Sequence, residues 1–242
     1  LLKNEIPSIK IIFGGVHSSV AWENVIKNEI VDCAITGEGE ESLYKAILIL
    51  LGSQDNPERG ILIKRKGKII GDPTPSIIEN IDDYYPDKTL FYSEYPFYSS
   101  SYLTLISRGC PFKCSYCVND FYHKNYPPDK YYRLRSEDCV IYELETALNI
   151  YNYKSVHFTD EVFNVNKKYL LSFLKKYSLK ISKPFSCYVY PDLVDEECVR
   201  LLKDSGCVKV QFGIQIFSEE KRRERYKRYS SNNKIAQAIK LF

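Results

Sequence analysis

The chain has 242 residues, with 44% hydrophobic side chains and a formal net charge of +3 from 34 basic and 31 acidic residues. That length suits one large domain or one and a half ordinary ones, and the balance of charge makes no case for a nucleic-acid partner. The longest apolar run, near Ala46 to Leu51, is too short for a membrane-crossing helix.

The first predicted strand is Ile9 to Phe13, which runs into Gly14-Gly15-Val16-His17. A helix is expected over Val20 to Glu29, and a second strand over Val31 to Ile35. The second strand ends at Thr36-Gly37-Glu38-Gly39-Glu40. A helix from Glu41 to Leu51 follows, closed by Gly52. Alternating strands and helices predict a parallel α/β sheet, with ligands at the carboxyl ends of its strands. Both glycine-rich turns fall at such ends. Their glycines either permit positive φ or let a ligand approach the backbone. Glu38 and Glu40 also suit the first turn of a helix, where acids are favourable. Ile61 to Ile70 reads as a hairpin turning at Lys66-Gly67.

Asp72-Pro73-Thr74-Pro75 breaks regular structure, and a Tyr- and Pro-rich stretch follows. The chain thus divides into residues 1–75, a linker over 76–100, and 101–242. The linker, with Asp82-Asp83-Tyr84-Tyr85-Pro86 and Tyr95-Pro96-Phe97-Tyr98, is either a strap on the second domain or a wall of its site.

The second domain opens on an apolar strand, Tyr102 to Ile106. Then comes Arg108-Gly109-Cys110-Pro111-Phe112-Lys113-Cys114-Ser115-Tyr116-Cys117, a C-x3-C-x2-C arrangement. Thiolates are soft, charged donors for iron and zinc. Zinc sites usually pair two knuckles or add histidines, and no second knuckle follows here. Helix and strand then alternate. A helix over Glu137 to Tyr151 is capped by Ser136, and a strand over Ser155 to Phe158 ends at Asp160-Glu161. A helix over Asn166 to Ser178 and a strand over Phe185 to Val189 come next. A helix opened by Asp195 stops at Gly206, and the strand Val208 to Phe212 ends at Gly213-Ile214-Gln215. Helical sequence resumes after Ser218 and again over Asn232 to Phe242. Repeated βα units make a parallel barrel or part of one, with active groups at the C-terminal strand ends. The cysteines, Asp160-Glu161 and Gln215 all lie at such ends. The run Lys221 to Arg228 reads as a solvated helix face. Cys33, Cys139, Cys187, Cys198 and Cys207 read as small buried hydrophobes, and His123 and His157 as structural.

C-x3-C-x2-C with an aromatic before the third cysteine resembles the signature of radical S-adenosylmethionine (SAM) enzymes. The resemblance implies that Cys110, Cys114 and Cys117 ligate a [4Fe-4S] cluster whose fourth iron is open to the amino and carboxylate groups of SAM. It implies reductive cleavage of SAM to a 5′-deoxyadenosyl radical, with an external electron donor such as flavodoxin or ferredoxin. Asp160 or Glu161 would meet the SAM amino group, Gln215 its ribose and the Tyr116 backbone its adenine. An arginine of the Lys221 to Arg228 run would reach its carboxylate. Gln215 departs from the commoner G-x-E-S-G form of that contact.

A strand ending in G-G-x-H, followed by D-x-x-x-x-G-E-G-E, is similar to the second half of the cobalamin-binding domain that precedes some radical SAM barrels. On that likeness Gly14, Gly15, His17, Gly37, Glu38 and Gly39 would contact cobalamin, with His17 nearer the nucleotide tail than the cobalt. The expected architecture is therefore a partial Rossmann-like cobalamin-binding domain followed by a partial (β/α)6 TIM-like barrel. Four βα units are legible, so further segments are expected at both ends. The absence of Met is unusual. The implied reaction is cobalamin-dependent methylation of an unactivated centre in a small molecule or peptide, in the cytoplasm. Two alternatives stay open. One is radical SAM chemistry of another kind, such as cyclisation, oxidation or methylthiolation. The other is a non-catalytic iron-sulfur or zinc module.

Overall fold

The computed structural model describes residues 2–95, 100–127 and 129–242. The chain divides into two compact units, one of residues 2–80 with 121–127, the other of 81–120 with 129–242.

In the first unit, a four-residue helix, α1 (Leu2–Glu5), precedes β1 (Ile12–Phe13). β1 pairs in parallel with β2 (Cys33–Ile35), in register Ile12 to Cys33. β1 is shorter than the apolar run because Asp32 takes over its first rung. The Asp32 carboxylate accepts the Ile11 N–H at 2.9 Å, and Asp32 N–H donates to Ile11 O. The single helix expected over Val20 to Glu29 is two, α2 (Val16–Val20) and α3 (Trp22–Lys27), with Ala21 out of helical geometry between them. α2 starts early because Gly15, at φ 88°, turns the chain directly after β1.

The helix α4 (Glu40–Leu50) packs Ala46 and Ile49 against β2. β3 (Ile61–Arg65) and β4 (Lys68–Asp72) form the hairpin, turning at Lys66 and Gly67, both at positive φ. β3 pairs antiparallel with β2, so the sheet runs β1-β2-β3-β4 with one parallel and two antiparallel joints.

In the second unit, α5 (Thr89–Glu94) leads into β5 (Ser101–Thr104). A small ribbon, β6 (Ser107–Arg108) with β7 (Arg133–Leu134), flanks the cysteine loop, and α6 (Val118–Asn125) follows Cys117, its residues from Phe121 on counted with the first unit. Then come α7 (Glu137–Tyr151), β8 (Ser155–Phe158), α8 (Lys167–Lys180), β9 (Phe185–Tyr188), α9 (Glu196–Asp204) and β10 (Cys207–Gln211). Two short helices, α10 (Glu219–Glu224) and α11 (Asn232–Leu241), close the chain.

β5, β8, β9 and β10 lie side by side, all parallel. The helices begin where side chains cap them. Ser136 accepts from Cys139 N–H, Asn166 from Tyr169 N–H and Asp195 from Cys198 N–H.

One face of this sheet carries Val156, Phe158, Phe185 and Cys187. It is covered by Leu144, Phe173, Leu174, Tyr177 and Leu202 of the helices. Each large apolar side chain buried there contributes roughly 1.5–3 kcal/mol.

Residues 81–95 pack on this same unit. Tyr92 is buried in its core against Tyr102 and Tyr151. Lys88 donates to Leu103 O and to Glu143, and Asp82 accepts the Ser136 N–H. For Asp82 to Tyr95 this is the strap among the two roles the sequence allowed. Pro96, Phe97 and Tyr98, the rest of that candidate wall, lie outside the described residues.

Among the described residues no helix is long and apolar enough to cross a membrane. All eight cysteines are free, with Cys33, Cys187 and Cys198 buried and Cys139 and Cys207 half-buried.

Candidate functional site

Gly109 opens the cysteine loop. Its φ is 78°, and a Cβ there would stand 2.4 Å from Tyr131 O. Only glycine fits both the left-handed turn and the close approach. Cys117 N–H then donates to Cys114 O, and Asp120 N–H to Cys117 O, which curls the loop into α6. The far side of the loop is tied down by Ser115, whose N–H donates to Tyr226 O at 3.0 Å and whose hydroxyl donates to Arg225 O.

Cys110, Cys114 and Cys117 line one cavity of about 350 Å³. Cys110 and Cys114 are buried and Cys117 is half-buried. Glu161, Gln211, Gln215 and Arg228 share the lining, and the volume suits a cofactor-sized molecule. Burial pushes the Cys110 thiol up to about 11, and Glu161, Cys114 and Cys117 add to the rise. Three thiolates and a carboxylate around one cavity repel one another, so this donor set fits a cationic iron-sulfur centre. Among the described residues, no three His, Cys, Asp or Glu side chains are arranged to hold a single metal ion. A cluster offers each thiolate its own iron, so its ligands stand farther apart than those of one ion.

Asn119 is a residue of the candidate site that the sequence reading missed. It is buried, lines the cavity and donates from Nδ2 to Cys117 Sγ at 3.2 Å. The Tyr131 hydroxyl donates to its Oδ1 and fixes its orientation. Its place two residues past the third cysteine was the available signal.

Phe112 and Tyr190 stack at 3.9 Å with 10° between their planes, and the Arg228 guanidinium lies 4.5 Å from the Tyr190 ring centroid. Arg228 also donates to Gly213 O at 2.9 Å.

The charged run is therefore not a solvated helix face throughout. Arg222 is fully buried, donating to Ser230 O at 2.9 Å, Ile216 O at 2.6 Å and Asn232 Oδ1 at 2.6 Å. Two main-chain carbonyls and a side-chain amide oxygen satisfy its fork of donors, which makes burial of the charge tolerable.

Asp160 and Glu161 part company. Glu161 lines the cavity, whereas Asp160 is buried and turned into the loop after β5. Its carboxylate accepts Ile106 N–H at 3.1 Å, Ser107 N–H at 2.7 Å and the Ser107 hydroxyl at 2.5 Å. Burial pushes its pKa up to about 6, against the pull of these donors. Gln215 lines the cavity at φ 69°, with its side chain folded over Gly213, where a Cβ would meet its Nε2 at 2.2 Å. Tyr116 lines the cavity with its ring edge-on to Tyr226.

In the first unit the two glycine turns meet at Ser19. Its buried hydroxyl donates to Gly15 O at 3.0 Å and accepts Gly37 N–H at 2.8 Å. Gly14, Gly15 and His17 are exposed. A Cβ on Gly15 or Gly39 would meet nothing within 4 Å, so space is open over both. His17 packs edge-on against Phe13. Gly37 abuts Ser76, and Glu38 accepts the Ile78 N–H at 2.6 Å, which gives both a part in holding residues 76–78.

Residues 104–242 match the radical SAM superfamily. The chain is 28% identical over 229 residues to an uncharacterized methyltransferase of Pyrococcus horikoshii, covering 89% of this chain and 47% of that one. It is 24% identical over 234 residues to an anaerobic magnesium-protoporphyrin IX monomethyl ester cyclase of Rubrivivax gelatinosus, covering 91% and 41%. The chain thus spans less than half the length of these relatives.

Two solved structures share the fold. One is the cobalamin-dependent SAM radical enzyme OxsB with aqua-cobalamin and SAM bound. It has a TM-score of 0.73 and 17% identity, over 96% of this chain and 34% of that one. The other is the radical SAM methyltransferase TsrM of Kitasatospora setae with cobalamin and a [4Fe-4S] cluster bound. It has a TM-score of 0.69 and 19% identity, over 99% and 50%.

Proposed function

Since the chain belongs to the radical SAM superfamily, we propose that it is the core of a cobalamin-dependent radical SAM methyltransferase acting on an unactivated centre. The observation that carries this reading is the gathering of Cys110, Cys114 and Cys117 on one cavity wall with Glu161, Gln215 and Arg228. Those three cysteines would hold a [4Fe-4S] cluster. When bound, the cluster supplies the electron for reductive cleavage of SAM, and cobalamin supplies a methyl carrier.

The remaining roles belong to the chain. Asn119 orients the Cys117 thiolate. Glu161 offers a carboxylate to the SAM ammonium, and Arg228 a cation to its carboxylate. Tyr116 and Gln215 border the nucleoside. Gly14, Gly15 and His17 present an open backbone edge to cobalamin, with Gly37, Glu38 and Gly39 beneath it. Asp160 holds the loop and does not touch the ligand. An external electron carrier and the reducing cytoplasm complete the reading, which the eight free cysteines support.

Ring formation is a second reading, favoured by the similarity to the cyclase of Rubrivivax gelatinosus. Anaerobic reconstitution tests both. The proposal expects about four irons per chain, bound cobalamin, and release of 5′-deoxyadenosine from SAM. Cleavage of SAM without cobalamin would favour other radical chemistry. Bound zinc without cleavage would overturn the enzyme reading.

A further inference from the structure

The parallel sheet of the second unit has a second face, and its composition is unusual. Parallel strands covered on both sides are normally apolar on both, and barrel interiors are usually filled by branched aliphatics. Here the strands alternate. Tyr102, Val156, Phe158, Phe185 and Cys187 point into the helix-packed core. The opposite face carries His157 on β8, Ser186 and Tyr188 on β9, and Lys209 and Gln211 on β10.

The register aligns these side chains. His157 pairs with Ser186, Ser186 with Lys209, and Tyr188 with Gln211, so each pair projects from the same side of the sheet. Across the four strands one row therefore reads Leu103, His157, Ser186, Lys209, apolar at β5 and polar from β8 on. The next row, nearer the carboxyl ends, reads Tyr188, Gln211, and both of these residues line the cavity of the three cysteines.

Within the first row, His157 Nδ1 lies 2.6 Å from Ser186 Oγ, and the ring packs edge-on against Tyr188 at 5.3 Å. With Nδ1 engaged, Nε2 is the ring atom left to meet a ligand. Lys209 makes no ion pair among the described residues. Burial lowers the His157 pKa, and the Lys209 charge lowers it further. A lysine, an imidazole and a hydroxyl thus share one row of this sheet face behind the cavity, and no ion pair engages Lys209 among the described residues.

We propose that the His157–Ser186–Lys209 row binds an oxyanion of the substrate, a carboxylate or a phosphate, and so orients the rest of that substrate toward the cysteine-lined cavity. The inference rests on the reading of that cavity as the SAM site. It adds that the substrate is anionic and names the residues that would recognise it. Lys209 supplies the charge. The neutral imidazole and the Ser186 hydroxyl bond each other, so the pair has one donor left for the oxyanion: Nε2–H when Ser186 donates to Nδ1, or the hydroxyl when Nδ1–H donates to Ser186.

The test uses the anaerobically reconstituted full chain with labelled histidine, whose three imidazoles, of His17, His123 and His157, give separate resonances. Acetate and methyl phosphate are titrated in separate arms at constant ionic strength. The expected result is a saturable shift of the His157 resonance alone. Saturation by acetate but not methyl phosphate identifies a carboxylate site, and the reverse a phosphate site. K209M should weaken binding about tenfold or more, and K209R should restore much of it. K209R also guards against a fold defect in K209M. No shift with either anion, or equal affinity in wild type and K209M, would overturn the proposal. Release of 5′-deoxyadenosine from SAM without substrate is measured on the same samples. Its loss in wild type would strike the SAM reading and leave the anion result standing on its own.

Discussion

Asn119 Nδ2 donates to Cys117 Sγ at 3.2 Å while Asn119 Oδ1 accepts the Tyr131 hydroxyl. The amide thus links a buried phenol to the most exposed of the three thiolates. N119L removes both bonds. The Tyr131 hydroxyl loses its acceptor, which should cost about 1–3 kcal/mol of stability. Losing a donor to a cluster thiolate should also make the midpoint potential more negative, because hydrogen bonds to sulfur favour the reduced state. Urea unfolding and a redox titration followed by electron paramagnetic resonance check the two effects separately.

Gly109 allows no side chain. G109A places a methyl in a left-handed turn and against Tyr131 O, 2.4 Å away. The backbone term alone is about 1–2 kcal/mol, and the clash adds to it. We expect iron content after reconstitution to fall by more than half while the far-ultraviolet circular dichroism stays close to wild type.

The buried carboxylate of Glu143 anchors residues 81–95 to β5 and α7. It accepts from Arg135 at 2.5 Å, Tyr102 at 2.9 Å, Thr104 at 3.0 Å and Lys88 at 3.2 Å. R135M removes one full partner from a fully buried charge. The expected loss is about 3–5 kcal/mol in urea unfolding, far more than for an exposed pair such as Lys27 with Glu23.

Asp160 makes stability depend on pH in an unusual direction. Its folded pKa of about 6 lies above the ordinary 3.8, so the folded protein holds the proton more tightly than the unfolded chain. The contribution is complete below pH 3.8 and is lost as pH rises through 6, by on the order of 3 kcal/mol. D160N keeps an acceptor but cannot ionise. The stability of wild type relative to D160N should therefore be greater at pH 4 than at pH 7. An equal difference at both values would contradict the assignment.

Much of the second unit was legible because its signals are local. Ser136, Asn166 and Asp195 announce their helices by capping them, and Gly206 ends one. The βα rhythm put the cysteines, Glu161 and Gln215 at strand ends, and the structure gathers these on one cavity.

What stayed hidden depended on partners distant in sequence. Nothing in an eight-residue charged run marks Arg222 for burial, because its partners are Ile216 O, Ser230 O and Asn232. Asp160 and Glu161 are adjacent acids, and only the loop amides of Ile106 and Ser107 decide which one turns inward. The polar row of His157, Ser186 and Lys209 was obscured by a register shift at Val208, which alters the alternation along β10.

In the proposed site, three thiolates leave one iron open to SAM. Pulsed electron-nuclear double resonance on the reduced, reconstituted chain tests it directly, using SAM labelled with ¹⁵N at the amino group and ¹⁷O at the carboxylate. Hyperfine coupling to both labels is expected, with loss of the cluster signal in C110A, C114A and C117A. A cluster that forms but shows neither coupling, or that survives loss of any one of these cysteines unchanged, would contradict it.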